Sequence, residues 1–293
     1  MAIDYELAVE RRRLRGALRK WRRIAGHSQQ QAASAMGWSL SKLVRLENGS
    51  GKPIPADVLA LLTHYGAPAD DAREFYEVAR RLPSRILQNE ETLRSVFNPA
   101  YVSYLEAERG SSQVRQWHPS MVPGILQTEE YAYQLLTKAF KRSHEDAKRI
   151  IDARLERQNL LDLETGPRFH FILDEGILLR PVGSAQTMRK QIEKIVALVD
   201  DGPGNNKRVL VQVLPLSAGL TPGIRGPFIL LEFDDDDSQD VLFMETPKGD
   251  FFSKDEKEEV EPYQIIFGEL EELSMSIESM RERIDRLIEQ LHD

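Results

Sequence analysis

The chain has 293 residues, of which 41% are apolar, a formal net charge of −8 and no cysteine. This composition suits two globular domains and excludes a disulfide framework and thiol chemistry. The sequence has no run of about 18 apolar residues and begins without the apolar core of a signal peptide, so we expect no transmembrane helix and a cytoplasmic location.

The charge is divided unevenly along the chain. Residues 1–82 carry 14 Lys and Arg against 9 Asp and Glu, a net charge of +5, whereas the remainder carries 25 against 38, a net charge of −13. A basic module joined to an acidic one indicates a division of labour. The acidic part would repel DNA, so attraction to phosphates must come from the first module.

Residues 1–82 are predicted to form an all-α domain of five helices. Apolar positions recur at helical spacing over 10–25, 28–36, 39–47, 55–65 and 69–82. Ser28 and Gln31 form an S-x-x-Q capping box, Gly37 suits a sharp turn, and Ser39 is a good N-cap. Arg11, Arg12 and Arg13 either form a solvated helix face or supply auxiliary phosphate contacts.

The second and third helices are predicted to share one buried face. Small and apolar side chains point inward at Ala32, Ala33, Met36, Trp38, Leu43 and Leu46. The outer face of the third helix holds Leu40, Ser41, Lys42 and Arg45. A packed inner face with a polar, basic outer face is what a helix–turn–helix needs to enter the major groove of DNA.

The segment SQQQAASAMGWSLSKLVRLENG resembles the DNA-binding core of lambda-repressor-like (XRE-type) regulators. The matching positions are Gln29, Ala33, Gly37, Ser39, Arg45 and the run Glu47-Asn48-Gly49. Ala32 is smaller and Trp38 larger than is usual in the family, and we interpret the two as compensating volumes in one core.

The resemblance implies a set of DNA contacts. It directs Leu40, Ser41 and Arg45 toward base edges, where Leu40 would have to read a thymine methyl group. It places Gln29 and Asn48 against phosphates and pairs Arg22 with Glu47. To the phosphate contacts we add Ser39, Lys42 and Lys52.

After a connector at 83–99, with a short helix near 84–95, residues 100–293 are predicted to form an α+β domain. Helices are expected at 99–109, 125–139, 143–161 and 185–200. Strands are expected at 112–118, 168–174 and 207–216, followed by a probable hairpin of 227–233 and 239–245. Together the strands predict a small antiparallel or mixed sheet.

The C-terminal region, 256–292, is predicted to be helical. Apolar residues recur there in steps of three and four from Tyr263 to Leu291, the pattern of a coiled coil. The competing interpretation is two helices that break near Ser274–Ser276 and pack on their own domain. Either version could supply a dimer contact.

The fragments VPGILQTEEYA, FILDEGILLRPVG, VLVQVLPLSAG and GPFILLEF resemble the C-terminal domain of actinobacterial regulators such as those of Streptomyces. The resemblance implies a sensor domain, whose genes often lie beside one for a small partner protein in antitoxin-like pairs. A cleft for an unidentified small ligand is predicted from six residues that mix aromatic and charged groups: Trp117, His118, Tyr131, Phe171, Asp174 and Arg180. The alternative interpretation is that the aromatic residues only pack in the hydrophobic core.

No catalytic or metal motif stands out, and we expect no enzyme, no cofactor and no metal. Asp174 and Glu175 are the one carboxylate pair considered for chemistry, although such residues more often cap the next element. We predict a sequence-specific DNA-binding regulator that acts as a homodimer on a pseudo-palindromic operator, without membrane association. The alternative is an antitoxin-like protein whose main role is to bind a small partner.

Overall fold

The computed structural model describes residues 2–47, 52–82, 90–162, 166–200, 208–234, 240–246, 249–253 and 257–290. The chain divides into two compact units. The first is built mainly from Met1–Glu90, with the short segments Leu105–Ser111 and Phe233–Gln239. The second contains Glu91–Tyr104, Ser112–Glu232 and Asp240–Asp293.

The first unit contains the five predicted helices. They are α1 (Ala2–Ile24), α2 (Gln29–Ala35), α3 (Leu40–Glu47), α4 (Pro55–His64) and α5 (Ala69–Arg81). The first helix begins at Ala2, eight residues before the periodic pattern that predicted it at 10. Its extension carries Ala8, which is buried in the domain core, so tertiary packing rather than the local pattern holds that turn.

The turn chemistry around α2 and α3 follows the sequence signals. The Oγ atom of Ser28 accepts from the N–H of Gln31 at 3.2 Å, and the Gln31 side chain accepts from the N–H of Ser28 at 2.8 Å. Gly37 has a φ of +66°, a conformation that only glycine adopts without steric cost. Ser39 Oγ accepts from the N–H of Lys42 at 3.2 Å. These short-range bonds fix where each helix begins.

One apolar core joins the five helices. Its fully buried members come from every helix: Ala17, Leu18, Ala32, Ala33, Leu43, Val58, Leu61, Leu62 and Ala79. Met36, Trp38 and Leu46 pack against this core while remaining partly exposed. The predicted inner face of α2 and α3 is therefore the face that holds the unit together.

The next elements are α6 (Glu90–Val96), α7 (Pro99–Arg109) and strand β1 (Gln113–His118). The second unit contains α6 from Glu91, α7 as far as Tyr104, and β1. Next come α8 (Glu129–Gln134), α9 (His144–Gln158), β2 (Arg168–Asp174), α10 (Glu175–Leu179) and α11 (Ala185–Asp200). The remaining elements are β3 (Val209–Leu214), β4 (Phe228–Glu232), β5 (Val241–Met244), β6 (Phe251–Phe252), α12 (Lys257–Leu273) and α13 (Ile277–Gln290). Residues 83–89 of the predicted connector lie outside the described part.

The described strands form one six-stranded mixed sheet in the order β3-β2-β1-β4-β5-β6. β1, β2 and β3 run parallel, with Val114 opposite Phe169 and Phe169 opposite Val209. β4 pairs antiparallel with β1 and with β5, as the hairpin prediction requires. The predicted fold class is thereby confirmed: an all-α domain precedes an α+β domain with a mixed sheet and C-terminal helices.

Two local predictions for the second unit were wrong. The segment 125–139 is not one helix: a 3₁₀ turn at Gly124–Leu126 ends in an extended Gln127, and α8 starts after Thr128, which caps it. A short helix, α10, follows β2 where no helix was predicted. Its N-cap is Asp174, whose Oδ1 accepts from the N–H of Gly176 at 2.8 Å. Five residues are too few for a periodic pattern to reveal.

The C-terminal helices show the break, not the continuous coiled coil. α12 ends at Leu273 and α13 starts at Ile277, and between them the N–H of Met275 donates to the Val213 carbonyl of β3 at 2.8 Å. Most of the apolar seam is buried within the unit itself, at Ile266, Leu270, Met280, Ile284 and Leu287, whereas Leu273 at the break keeps 46% of its surface exposed. The buried residues are therefore not available as a dimer seam.

Candidate functional site

The outer face of α3 is exposed as a helix that reads DNA requires. Leu43 on the inner side is fully buried, whereas Leu40 keeps 41% of its surface and Ser41 and Arg45 are also exposed. Leu40 and Ser41 occupy the first two positions of α3. In helix–turn–helix complexes it is the start of the recognition helix that meets base edges. The three predicted base-reading residues thus share an accessible face.

A buried carboxylate fixes the position of α3. Glu47 has no exposed side-chain surface, and its two oxygens accept from Arg22 Nε at 2.7 Å and Arg22 Nη2 at 3.2 Å. Gln29 Nε2 donates to the same carboxylate at 2.8 Å, and Arg22 Nη1 donates to the His27 carbonyl at 3.0 Å. These bonds join α1, the loop after it, α2 and the end of α3. The structure therefore contains the expected Arg22–Glu47 pair.

Two predicted phosphate contacts already hold protein partners. The Gln29 amide uses one hydrogen on Glu47 and retains a second donor. The Lys42 ammonium lies 2.8 Å from Asp57 Oδ2 and 3.9 Å from the centre of the Trp38 ring. An ammonium has three donors, so a phosphate oxygen still has a place on Lys42. Asp57 was not predicted as a partner of Lys42, because the pair joins two different helices.

The remaining predicted phosphate contacts are Ser39, Lys52 and Asn48, of which the structure describes the first two. Ser39 is exposed, but its hydroxyl oxygen accepts from the N–H of Lys42 and caps α3. Lys52 is exposed and lines one cavity together with Lys42 and Arg45. Asn48 lies outside the described residues. Three of the predicted DNA contacts thus meet at one place on the first unit.

The six residues predicted to line a ligand cleft have structural roles in the second unit. Trp117, His118, Tyr131 and Phe171 are buried. Trp117 Nε1 donates to the Gly223 carbonyl at 2.9 Å, and the Tyr131 hydroxyl accepts from the N–H of Val122 at 3.3 Å. A ligand that reached these four side chains would have to displace core packing.

The other two members of the predicted cleft are accessible but already have bonds. Asp174 caps α10, as the structural alternative proposed. Arg180 is exposed, and its Nη1 donates to the Ser120 carbonyl at 2.6 Å. Most of the predicted cleft residues therefore occupy core or helix-cap positions. Their role in binding a ligand stays a prediction.

His118 has an unusual electrostatic environment that the sequence did not reveal. Burial lowers its pKa to about 4, and the positive charge of Arg154 acts in the same direction. Its Nδ1 atom is buried and has no hydrogen-bond partner among the described residues. Arg154 is held by Gln127, whose Oε1 accepts from Arg154 Nη1 at 2.5 Å. The ring is therefore neutral at physiological pH.

Geometry and family comparison agree on the class of the first unit. A family model described as a helix-turn-helix domain matches residues 13–75, which include α2, the turn at Gly37 and α3. The buried inner face and exposed outer face of α3 supply the corresponding structure. The chain is thus a DNA-binding regulator of the helix–turn–helix class.

The second unit places the chain in a family. A model described as a domain of unknown function, DUF5753, matches residues 101–286, which is more than half of the chain. The chain belongs to the DUF5753 family. No curated protein and no solved structure matches it.

The described part of the chain also bears on membrane and metal binding. None of the helices there is both long and apolar enough to cross a membrane. In the same residues, no group of three or more His, Asp or Glu side chains is placed to hold a metal ion.

Proposed function

We propose that the chain regulates transcription by reading a specific DNA sequence with α3. Arg45 contacts a guanine, Ser41 an adjacent base or phosphate, and Leu40 a thymine methyl group. The observation that carries the proposal is the exposure of these three side chains on a helix whose opposite face is buried. Gln29, Ser39, Lys42, Asn48 and Lys52 position the domain on phosphates.

We propose further that two copies bind a pseudo-palindromic operator. One helix–turn–helix buries limited surface on DNA, so useful affinity requires a second half-site about one helical turn away. The buried C-terminal seam directs the search for the contact between copies to other surfaces.

Selection of bound sequences from a random duplex library tests both points. The full-length protein should enrich an inverted repeat, and Arg45→Ala should relax one position of each half-site with a loss of about 1–3 kcal/mol. Arg73→Ala is the matched control, because Arg73 is exposed on α5 outside the proposed interface. A uniform loss of affinity across all sequences would make Arg45 a phosphate contact, and the absence of enrichment at low salt would refute specific reading.

For the second unit we propose association with a small partner protein, with a sensed small ligand as the competing possibility. Three apolar side chains in the β3–β4 connection are largely exposed: Leu216 at 56%, Leu220 at 84% and Ile224 at 76%. These three residues lie within nine positions of the chain, and a contiguous apolar patch formed by them would mark an interaction surface. The net charge of −13 on residues 83–293 favours a basic partner. In the antitoxin-like version, holding this partner is the main role.

Co-expression with the product of a small gene found beside the one for this chain tests this part. The partner should co-purify with the full chain and be lost from the double variant Leu220→Glu/Ile224→Glu. Leu155→Glu is the control, because Leu155 is 37% exposed on α9. If the double variant still co-purifies with the partner, the surface of Leu216, Leu220 and Ile224 is not the binding site. If the full chain does not co-purify with the partner at all, the small-ligand hypothesis remains. Either role requires binding without turnover, and we propose no catalysis.

A further inference from the structure

A basic cavity lies in the first unit, bounded by α1, α3 and the segment that leads into α4. Its volume of about 400 Å³ falls within the range of small-molecule sites. α1 contributes Arg11, Leu14 and Arg15, which the helical repeat places on one face. α3 contributes the same pattern of spacing through Lys42, Arg45 and Leu46.

The charge of the lining is strongly positive. It contains five cationic side chains and a single carboxylate: Arg11, Arg15, Lys42, Arg45, Lys52 and Asp57. Asp57 lies 2.8 Å from the Lys42 ammonium, so that pair is nearly neutral. The other four cations line one partly open cavity, where water screens the partly buried arginines of α1 less than it would on a flat surface. An anion is the ligand that such a cavity favours.

The lining also has apolar walls. Leu14 and Pro53 are buried, Leu46 packs partly against the domain core, and Ile54 stands at the rim with 55% of its surface exposed. A free inorganic ion would leave the exposed part of these walls, which is mainly Ile54, in contact with water. The ligand that satisfies both parts has an anionic end and an apolar or aromatic body.

Arg15 is a partly buried cation of this arrangement, one helical turn from the buried Arg11. The Nε atom of Arg15 is buried and has no hydrogen-bond partner among the residues the structure describes. Burial lowers the pKa of Arg15 by more than the negative charge of Glu106 raises it, so the cost of holding this charge is only partly compensated. A bound anion would relieve that cost and take up the Nε donor.

We propose that this cavity binds an organic phosphate of nucleotide size, with the phosphates on the arginine and lysine side chains and the apolar body against Ile54 and the exposed part of Leu46. Phosphate is the anion that guanidinium groups match with paired hydrogen bonds. Arg45 and Lys52 belong to both this site and the DNA interface. The ligand and DNA therefore exclude each other, a consequence that rests on the proposed DNA-reading function.

Calorimetry on the full-length protein without DNA tests the site directly, with ADP as the probe. Pyrophosphate supplies the charge alone and adenosine the apolar body alone, and both should bind at least tenfold more weakly than ADP. Arg15→Met should weaken ADP binding about 10- to 100-fold, the factor for one lost charge-assisted hydrogen bond. Arg73→Met, which removes an exposed arginine from α5, should leave it unchanged. Thermal melting checks that each variant is folded, and Lys52→Gln, at an exposed residue, provides a second probe should Arg15→Met unfold.

The possible outcomes distinguish binding of ADP in the cavity from the exclusion of DNA by bound ADP. No binding of ADP up to about 1 mM, or equal binding by Arg15→Met, overturns the site while leaving DNA reading intact. Equal affinity for pyrophosphate and ADP overturns the apolar subsite. Bound ADP that does not displace a labelled operator duplex at constant ionic strength overturns the exclusion of DNA. Displacement by ADP that Arg15→Met abolishes supports the complete proposal.

Discussion

Glu47 is the residue on which the orientation of the DNA-binding helix depends most. Its carboxylate is fully buried, and Arg22 and Gln29 supply the three side-chain donors that compensate it. An ion pair of this kind adds little net stability compared with apolar packing, but the loss of one partner strands a buried charge. The structural role of the Arg22–Glu47 pair is therefore to fix the orientation of α3 relative to α1 and α2.

Arg22→Met should destabilise the protein by about 3–5 kcal/mol, because it leaves the Glu47 carboxylate without its main partner. Urea unfolding of the full chain measures the change. Arg23→Met is the matched control on the same helix, since Arg23 is exposed, and it should cost less than about 0.5 kcal/mol. The double variant Arg22→Met/Glu47→Leu should recover most of the loss. Equal effects of the two single variants would show that the buried charge does not matter.

His118 makes the stability of the protein depend on pH. Its folded-state pKa of about 4 lies below the ordinary value of 6.5, so the unfolded chain binds its proton first as pH falls. The stability due to the neutral ring is complete above pH 6.5 and is lost progressively between about pH 6.5 and 4. Burial lowers the pKa of His170 as well, which adds a loss of the same sign.

His118→Asn should therefore reduce the loss of stability between pH 7 and pH 5 by about 2 kcal/mol. Urea unfolding of the full chain at the two pH values measures it. His144→Asn is the control, because His144 is exposed on α9. An unchanged pH dependence in His118→Asn would show that the ring becomes protonated without cost in the folded protein.

At the scale of elements, sequence signals worked wherever their cause was local. The Ser28–Gln31 capping box, the positive φ of Gly37 and the Ser39 cap involve atoms within three residues of one another, and all were predictable. The long periodic helices and the alternating strands were found for the same reason. The break at Ser274–Ser276 was left open because a heptad seam looks alike whether it faces another chain or its own domain.

Apart from the Arg22–Glu47 pair, which the family resemblance implied, contacts between residues far apart in the chain were not predictable. Asp57 as the partner of Lys42, and Arg11 and Arg15 as walls of a cavity, depend on how α1, α3 and α4 come together. In the sequence, the cavity is indicated only by the helical spacing of Arg11, Leu14 and Arg15, which places the three side chains on one face of α1. The ligand cleft was predicted from aromatic and charged residues in the segments that resemble the sensor domain, and four of these residues, Trp117, His118, Tyr131 and Phe171, are buried.

A substitution in the C-terminal helices tests whether their apolar seam packs within its own domain or between two chains. Ile284 is buried on α13, which packs against α11 and β3 of the same unit. Ile284→Ala should cost about 2–5 kcal/mol in urea unfolding, because it opens a cavity inside the domain. Sedimentation at several concentrations should show the same oligomeric state as the parent. Dissociation of an oligomer without a loss of domain stability would place the seam between chains instead.

At the scale of the whole molecule, the division of charge sets how DNA binding responds to salt. The net +5 of residues 1–82 and the −13 of the remainder mean that only local cations on the first unit can replace the counterions of DNA. Each phosphate that a lysine or arginine neutralises contributes about −0.9 to the slope of log affinity against log salt concentration. The number of contacts is therefore measurable without a structure of the complex.

Lys52→Gln should reduce the magnitude of that slope by about 1, because one phosphate contact is lost, and should weaken binding to all sequences alike. Lys138→Gln makes the same charge change at an exposed residue of the second unit and should leave the slope unchanged. Fluorescence anisotropy of a labelled duplex at a series of salt concentrations measures both. If the two variants shifted the slope equally, net charge rather than a contact at Lys52 would control affinity, and the acidic unit would then be an active electrostatic brake on DNA binding.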